Sequence, residues 1–85
     1  IQYAKKRGLL VKRNYQAPGA ERGWPDLEIF GKYGRTLFLE MKAPGKKPTK
    51  IQAYRINRLR VLGHYASACD NLELGKGLID DCFGL

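Results

Sequence analysis

Asp26 and Glu40 stand fourteen positions apart, and Lys42 follows two residues after Glu40, in the stretch GWPDLEIFGKYGRTLFLEMKAPG. Two carboxylates can hold a divalent cation between them, and an ammonium beside them can act on an attacking water or on a phosphate. That is the equipment of metal-dependent phosphodiester hydrolysis. The setting agrees with it. The chain carries 16 Lys+Arg against 8 Asp+Glu, a net charge of +8, with an isoelectric point near 9.8. Its cations cluster as Lys5-Lys6-Arg7, Lys12-Arg13, Lys46-Lys47-Lys50 and Arg55-Arg58-Arg60 around the acidic motif. Carboxylates in a phosphate-gripping field would repel the ligand unless a cation intervenes. The constellation points to a nuclease.

Side-chain alternation places Glu40 and Lys42 on one face of a strand, with Met41 turned to the other side, towards the core with Leu37 and Leu39. Asp26 joins them only in one register. If Asp26 opposes Glu40 in an antiparallel hairpin, Glu28 opposes Phe38, Phe30 opposes Thr36, and residues 31–35 form a five-residue loop. A slip of one residue would send the carboxylates to opposite faces. In the first register Mg²⁺ or Mn²⁺ would be held by Asp26, Glu40, the backbone carbonyl of Met41, waters and a phosphate oxygen. Lys42 would orient the water or offset charge building on the phosphorus.

The elements that must position these residues read as (α)βββαβα, a mixed sheet flanked by helices in an α/β fold. Residues 2–7 finish a helix stopped by Gly8. Leu9–Tyr15 is a strand with Leu10, and beside it Leu9 and Val11, facing the core. QAPGAERGWP is a loop. Asp26–Phe30 and Thr36–Lys42 are the motif strands, and APGKKP is a second loop. Thr49 with Gln52 fits a capping box opening a helix to about Leu62, with Gln52, Ile56, Leu59 and Gly63 on its sheet-packing face and Arg55 and Arg58 to one side, available to a phosphate backbone. His64–Cys69 is a strand, Asp70-Asn71 a turn and cap, and Leu72–Ile79 a poor helix weakened by Gly75 and Gly77.

At 85 residues, 44% of them hydrophobic, the sequence suits one domain over residues 1–85. No apolar run reaches a membrane span, and the basic start lacks the apolar core of a secretory signal, so an intracellular setting is expected, the cytoplasm of a bacterial or phage-infected cell. Ile1 is no initiator methionine, which suggests a chain continuing upstream. Cys69 and Cys82, with the lone His64, cannot complete a zinc site and read as reduced structural thiols. His64 reads as a junction residue and Trp24 as a packing residue. The APGKKPTK loop reads as a phosphate contact.

These residues resemble the PD-(D/E)XK nuclease superfamily and, within it, the VRR-NUC (virus-type replication–repair nuclease) branch. Arg22-Gly23-Trp24-Pro25-Asp26 looks like that branch's RGxPD signature, and Glu40-Met41-Lys42-Ala43-Pro44-Gly45 resembles its E-x-K-A-P-G stretch. Pro48-Thr49-x-x-Gln52 is similar to the opening of its following helix, and Leu59–Ala66 to its helix-to-strand junction. The resemblance implies a metal-dependent phosphodiesterase with Asp26 and Glu40 as ligands, Lys42 as base or stabiliser, and Gln52 at the rim, where a capping role is compatible. It also implies a homodimer acting on branched DNA such as four-way (Holliday) junctions in replication, repair or recombination. Arg22, Lys46, Lys47, Lys50, Arg55 and Arg58 are the expected DNA contacts. The family's first-helix glutamate would fall before Ile1, with Glu21 and Glu28 the nearest substitutes. Competing readings are a catalytically silent branched-DNA-binding module of the same fold, and restriction-type or RNA cleavage.

Overall fold

The computed structural model describes residues 1–14 and 22–85. Its elements run α1 (Gln2–Lys6), β1 (Leu10–Arg13), β2 (Leu27–Phe30), β3 (Thr36–Met41), α2 (Lys50–Val61), β4 (Tyr65–Cys69) and α3 (Leu72–Phe83). The strands form one sheet in the order β1-β2-β3-β4, antiparallel across the first two pairs and parallel across the last. The expected α/β order is therefore the observed one. Alternation splits the sheet into two faces. Leu27, Ile29, Leu37, Leu39 and Cys69 pack with Ala4 of α1 and Ile79 and Cys82 of α3. The opposite face places Phe38, Ala66 and Ala68 against Ile56 and Leu59 of α2 and against Trp24.

The register is the one that the site requires. Glu28 opposes Phe38 and Phe30 opposes Thr36, with Leu27 opposite Leu39. One step further, Asp26 comes level with Glu40. The tip closes through the Gly31 amide, which donates to the Arg35 carbonyl at 2.9 Å.

Four expectations give way. Leu10 is 69% exposed because it opposes Phe30 on the side that α2 leaves open, whereas Leu9 and Val11 pack on the core. β1 ends at Arg13, and Tyr15, with most of the QAPGAERG loop, lies outside the described residues. Met41 takes the core side of the sheet but is 40% exposed, since it closes the strand. The last helix continues four residues beyond Ile79, to Phe83, and is capped by Gly84 in the left-handed region (φ 69°). Its glycines do not break it, because Gly75, Ile79 and Cys82 form a buried stripe, and burial outweighs propensity. A Cβ on Gly75 would meet the Cys69 Sγ at 3.5 Å, so the helix lies close to β4. Cys69 and Cys82 are free and buried, and burial pushes both thiols up, as suits structural cysteines.

The RGWPD turn is fixed from two sides. Gly23 has φ +83°, and a Cβ there would sit 2.9 Å from the Ile51 carbonyl oxygen and 2.8 Å from its side chain. Only glycine lets the turn lie against the first turn of α2. Pro25 is fully buried. On the far side, the Asn14 side-chain amide donates to the Pro25 carbonyl at 3.1 Å, and the Asn14 backbone amide donates to the Asp26 carbonyl at 2.7 Å. Gly23→Ala is expected to cost on the order of 2 kcal/mol and to lower the Tm by roughly 10 °C. Gly34→Asn, at φ +73° in open space, should move the Tm far less. Thermal unfolding of the two variants side by side checks this.

Candidate active site

Glu40 breaks the alternation of β3. On the face where Phe38 is half-buried it is buried outright, 7% exposed, and it is the one buried charged residue among those described. Burial, and then the neighbouring Asp26 charge, raise its pKa above the ordinary carboxylate value. Lys42 and a hydrogen bond from the Asp26 backbone amide pull the other way. The three motif residues thus interact electrostatically around one point of the sheet.

Each is held by backbone geometry. The Asp26 carboxylate accepts from the Met41 amide through Oδ1 at 2.9 Å, which ties the end of β2 to the end of β3. That bond leaves Oδ2 as a further acceptor. The Lys42 amide donates to the Cys69 carbonyl at 2.8 Å, so β3 stays paired with β4 through the lysine.

Gln52 both caps α2 and reaches Glu40. Its Oε1 accepts from the Thr49 amide at 2.9 Å while its own amide donates to Thr49 Oγ1 at 3.3 Å, completing the capping box. Its Nε2 then donates to Glu40 Oε2 at 3.4 Å. The cap holds the side-chain oxygen towards the helix and leaves the amino group facing Glu40.

The cations divide by position. Lys46 and Lys47 lie exposed in the loop after β3, and Lys50 is exposed at the start of α2. Arg58 is exposed six residues beyond Gln52, about 9 Å along the helix. Arg55 also has partners within the protein. It is half-buried, its guanidinium lies 5.0 Å from the Trp24 ring centroid, and its Nε donates to the Arg22 carbonyl at 3.3 Å. It staples the RGWPD turn to α2. Arg22 is itself exposed. Trp24 packs beside Ile56 and Leu59 as expected. His64 stacks edge-on against Phe38, with ring centroids 5.7 Å apart.

Two positioning residues escaped the sequence reading. Asn14 clamps the Pro25-Asp26 carbonyls, and nothing in its neighbourhood marked it beyond the end of a strand. Asp70 has the sequence context of a turn residue, yet its Oδ2 accepts from the Gly45 amide at 3.1 Å and so anchors the basic loop. Glu28 lies on the Asp26 side of the sheet but pairs with Lys12 at 3.8 Å, and α1 (QYAKK) has no acidic residue. Glu21 lies outside the described residues.

Among the described residues no three His, Cys, Asp or Glu side chains cluster as a metal site. A pair of converging carboxylates, one of them desolvated, fits a hard cation that keeps several of its waters, and does not fit a zinc cage.

The raised pKa of Glu40 sets a stability test in the metal-free protein. Above that pKa the ionised, buried carboxylate destabilises the fold. As pH falls through it towards the ordinary 4.5, protonation removes the cost. Glu40→Gln should therefore melt above the parent at pH 8 in EDTA, and the gap should close on acidification. Paired pH–Tm curves would show it.

No family model matches the sequence. The chain is 40% identical over 66 residues to "Putative nuclease p44" of Acyrthosiphon pisum secondary endosymbiont phage 1, a match spanning 78% of this chain and 70% of that protein. A solved structure named "VRR_NUC domain" aligns with a TM-score of 0.74 at 28% identity, over 93% of this chain and 88% of its own. Another, "VRR_NUC domain protein", aligns at 0.70 with 26% identity, over 85% of this chain and 65% of its own. With the register that brings Asp26 level with Glu40 and a relative of this identity and coverage, the chain belongs to the VRR-NUC nuclease family of the PD-(D/E)XK superfamily.

Proposed function

We propose that residues 1–85 form one nuclease domain, a Mg²⁺- or Mn²⁺-dependent endonuclease that hydrolyses phosphodiester bonds in branched DNA, such as four-way junctions, in replication, repair or recombination. The observation that carries this reading is the buried Glu40 carboxylate facing Asp26, with Lys42 and the Gln52 amide turned to it. Asp26, Glu40 and the Met41 carbonyl would hold the cation. Once bound, it would make a coordinated water acidic and polarise the phosphate.

The chain's own residues do the rest. The Met41 amide fixes one Asp26 oxygen, so the carboxylate needs no reorganisation when substrate arrives. The Gln52 amide holds Glu40 Oε2 and limits its rotation. Lys42, half-buried beside Glu40, directs the attacking water or offsets negative charge gathering on the phosphate oxygens. Lys46, Lys47 and Lys50, exposed from the loop after β3 to the first turn of α2, and Arg22, exposed in the turn that packs on α2, are the groups to grip flanking phosphates. Arg58 extends the grip along α2. A homodimer agrees with the exposed apolar side chains at the end of α2 and the start of β4 (Val61, Leu62 and Tyr65), and two sites about a two-fold axis suit paired cuts in a branched substrate. An intracellular setting accords with this role, and no helix among the described residues is long and apolar enough to cross a membrane.

The test is cleavage of a labelled four-way junction and a matched linear duplex, with Mg²⁺, with Mn²⁺ and with EDTA. Metal-dependent cutting of the junction is expected, falling by roughly 10²–10³-fold in Lys42→Ala. Tight binding without cutting in any metal would instead indicate a silent module. Separately, Lys46→Ala with Lys47→Ala should weaken binding to all DNA and flatten the salt dependence by about one unit of slope per lysine. Filter binding across a salt series measures it.

A further inference from the structure

The tip joining β2 to β3, residues 31–35, presents Tyr33 with its side chain 94% exposed and its backbone at φ 62°, ψ 27°. Among the described residues it is the one non-glycine with positive φ. A bulky side chain is rarely placed there, since glycine adopts that geometry without strain. The ring makes almost no contact that could stabilise the fold, so strain and exposure together point to a task outside the protein.

Its surroundings say which task. Beside it opens a groove of about 570 Å³, floored by Leu9, Leu10, Phe30 and Phe83 and rimmed by Arg7, Lys32 and Arg35. Gly31 gives the floor its depth, because a Cβ there would overlap the Phe83 ring at 2.4 Å. Arg35 is braced along the wall by a hydrogen bond from its guanidinium to the Cys82 carbonyl at 3.2 Å. An aromatic ring, an apolar floor and three cations match the flat apolar face and flanking phosphates of a nucleotide.

Two of the groove's lining residues, Leu10 and Phe30, share a sheet face with Asp26. Asp26, Glu28 and Phe30 alternate onto the face that α2 leaves open over β1 and β2. Leu10 and Lys12 oppose Phe30 and Glu28 there, and the Glu28 charge is offset by Lys12 at 3.8 Å. Four residues of strand separate Asp26 from Phe30, about 13 Å, or about four stacked nucleotides.

We propose that the β2–β3 tip is a second nucleic-acid contact, in which Tyr33 stacks on an unpaired nucleobase and Arg7, Lys32 and Arg35 take the phosphates beside it. This rests on the DNA-cleaving reading for its substrate and deepens it: the tip selects substrates with an unstacked arm a few nucleotides from the scissile bond.

The test places 2-aminopurine at successive positions of a single-stranded arm attached to a duplex and reads its fluorescence on binding in EDTA. Quenching is expected at one or two positions with the parent protein and with Tyr33→Phe, and not with Tyr33→Ala. Affinity for the armed DNA should fall roughly tenfold in Tyr33→Ala, while affinity for the plain duplex holds. Tyr33→Gly should melt at or above the parent temperature and yet show the same binding loss, which separates stacking from folding. Equal affinity of Tyr33→Ala and parent for the armed DNA would overturn the proposal. So would an equal loss on armed DNA and duplex. Because the readout needs no cleavage, Tyr33-dependent quenching in a protein that never cuts DNA would sustain the tip contact while refuting the nuclease reading.

Discussion

Everything around the motif answers to one buried charge. Glu40 is placed beneath α2 on a face where strand alternation would leave a polar side chain in water. Burying a carboxylate costs several kcal/mol, about 3–5 when its partner is missing. That is a large part of the ~5–15 kcal/mol by which a small domain is stable. Lys42, the Gln52 amide and the Asp26 backbone amide each offset part of the cost, while the Asp26 charge adds to it. An apolar residue there would be easier to fold. The carboxylate makes sense if a divalent cation completes the site, since the cation turns the repulsion between Asp26 and Glu40 into joint ligation.

The supporting structure follows from that need. The hairpin register brings Asp26 level with Glu40, and the Asp26–Met41 bond locks it at the point where a slip would matter most. Asn14 holds the turn from the edge strand, and Gly23 lets it lie against α2. Arg55 then fastens the same turn through Trp24 and the Arg22 carbonyl. On the other side, Asp70 fastens the basic loop through Gly45. Residues from four elements thus converge on two carboxylates, so that hydrogen bonds and close packing hold the site's geometry.

The carboxylate-bearing hairpin and the capping box were readable from the sequence because both are local patterns. Alternation put Glu40 and Lys42 on one face, one register out of two kept Asp26 with them, and Thr49 with Gln52 announced the start of α2. Other features depended on tertiary packing and were not readable. Leu10 looked like core because it is apolar in a strand, but no helix covers its face. The glycines of α3 lower its helix propensity, but the buried stripe of Gly75, Ile79 and Cys82 holds the helix in place. The tie between Arg55 and Trp24 was not readable either, because a helical wheel does not reveal a tryptophan from a distant loop. Asn14 and Asp70 act through hydrogen bonds to backbone groups, which no spacing rule encodes.

The account stands on the claim that Asp26 and Glu40 jointly hold a divalent cation, and the direct measurement is a Mn²⁺ titration of ¹⁵N-labelled protein. Paramagnetic broadening should appear first, at substoichiometric metal, in the amides of Asp26, Glu40, Met41 and Lys42, and it should vanish when Glu40→Gln replaces the parent. Broadening that begins elsewhere, or that persists unchanged in Glu40→Gln, would contradict the account and leave the buried carboxylate without its reason.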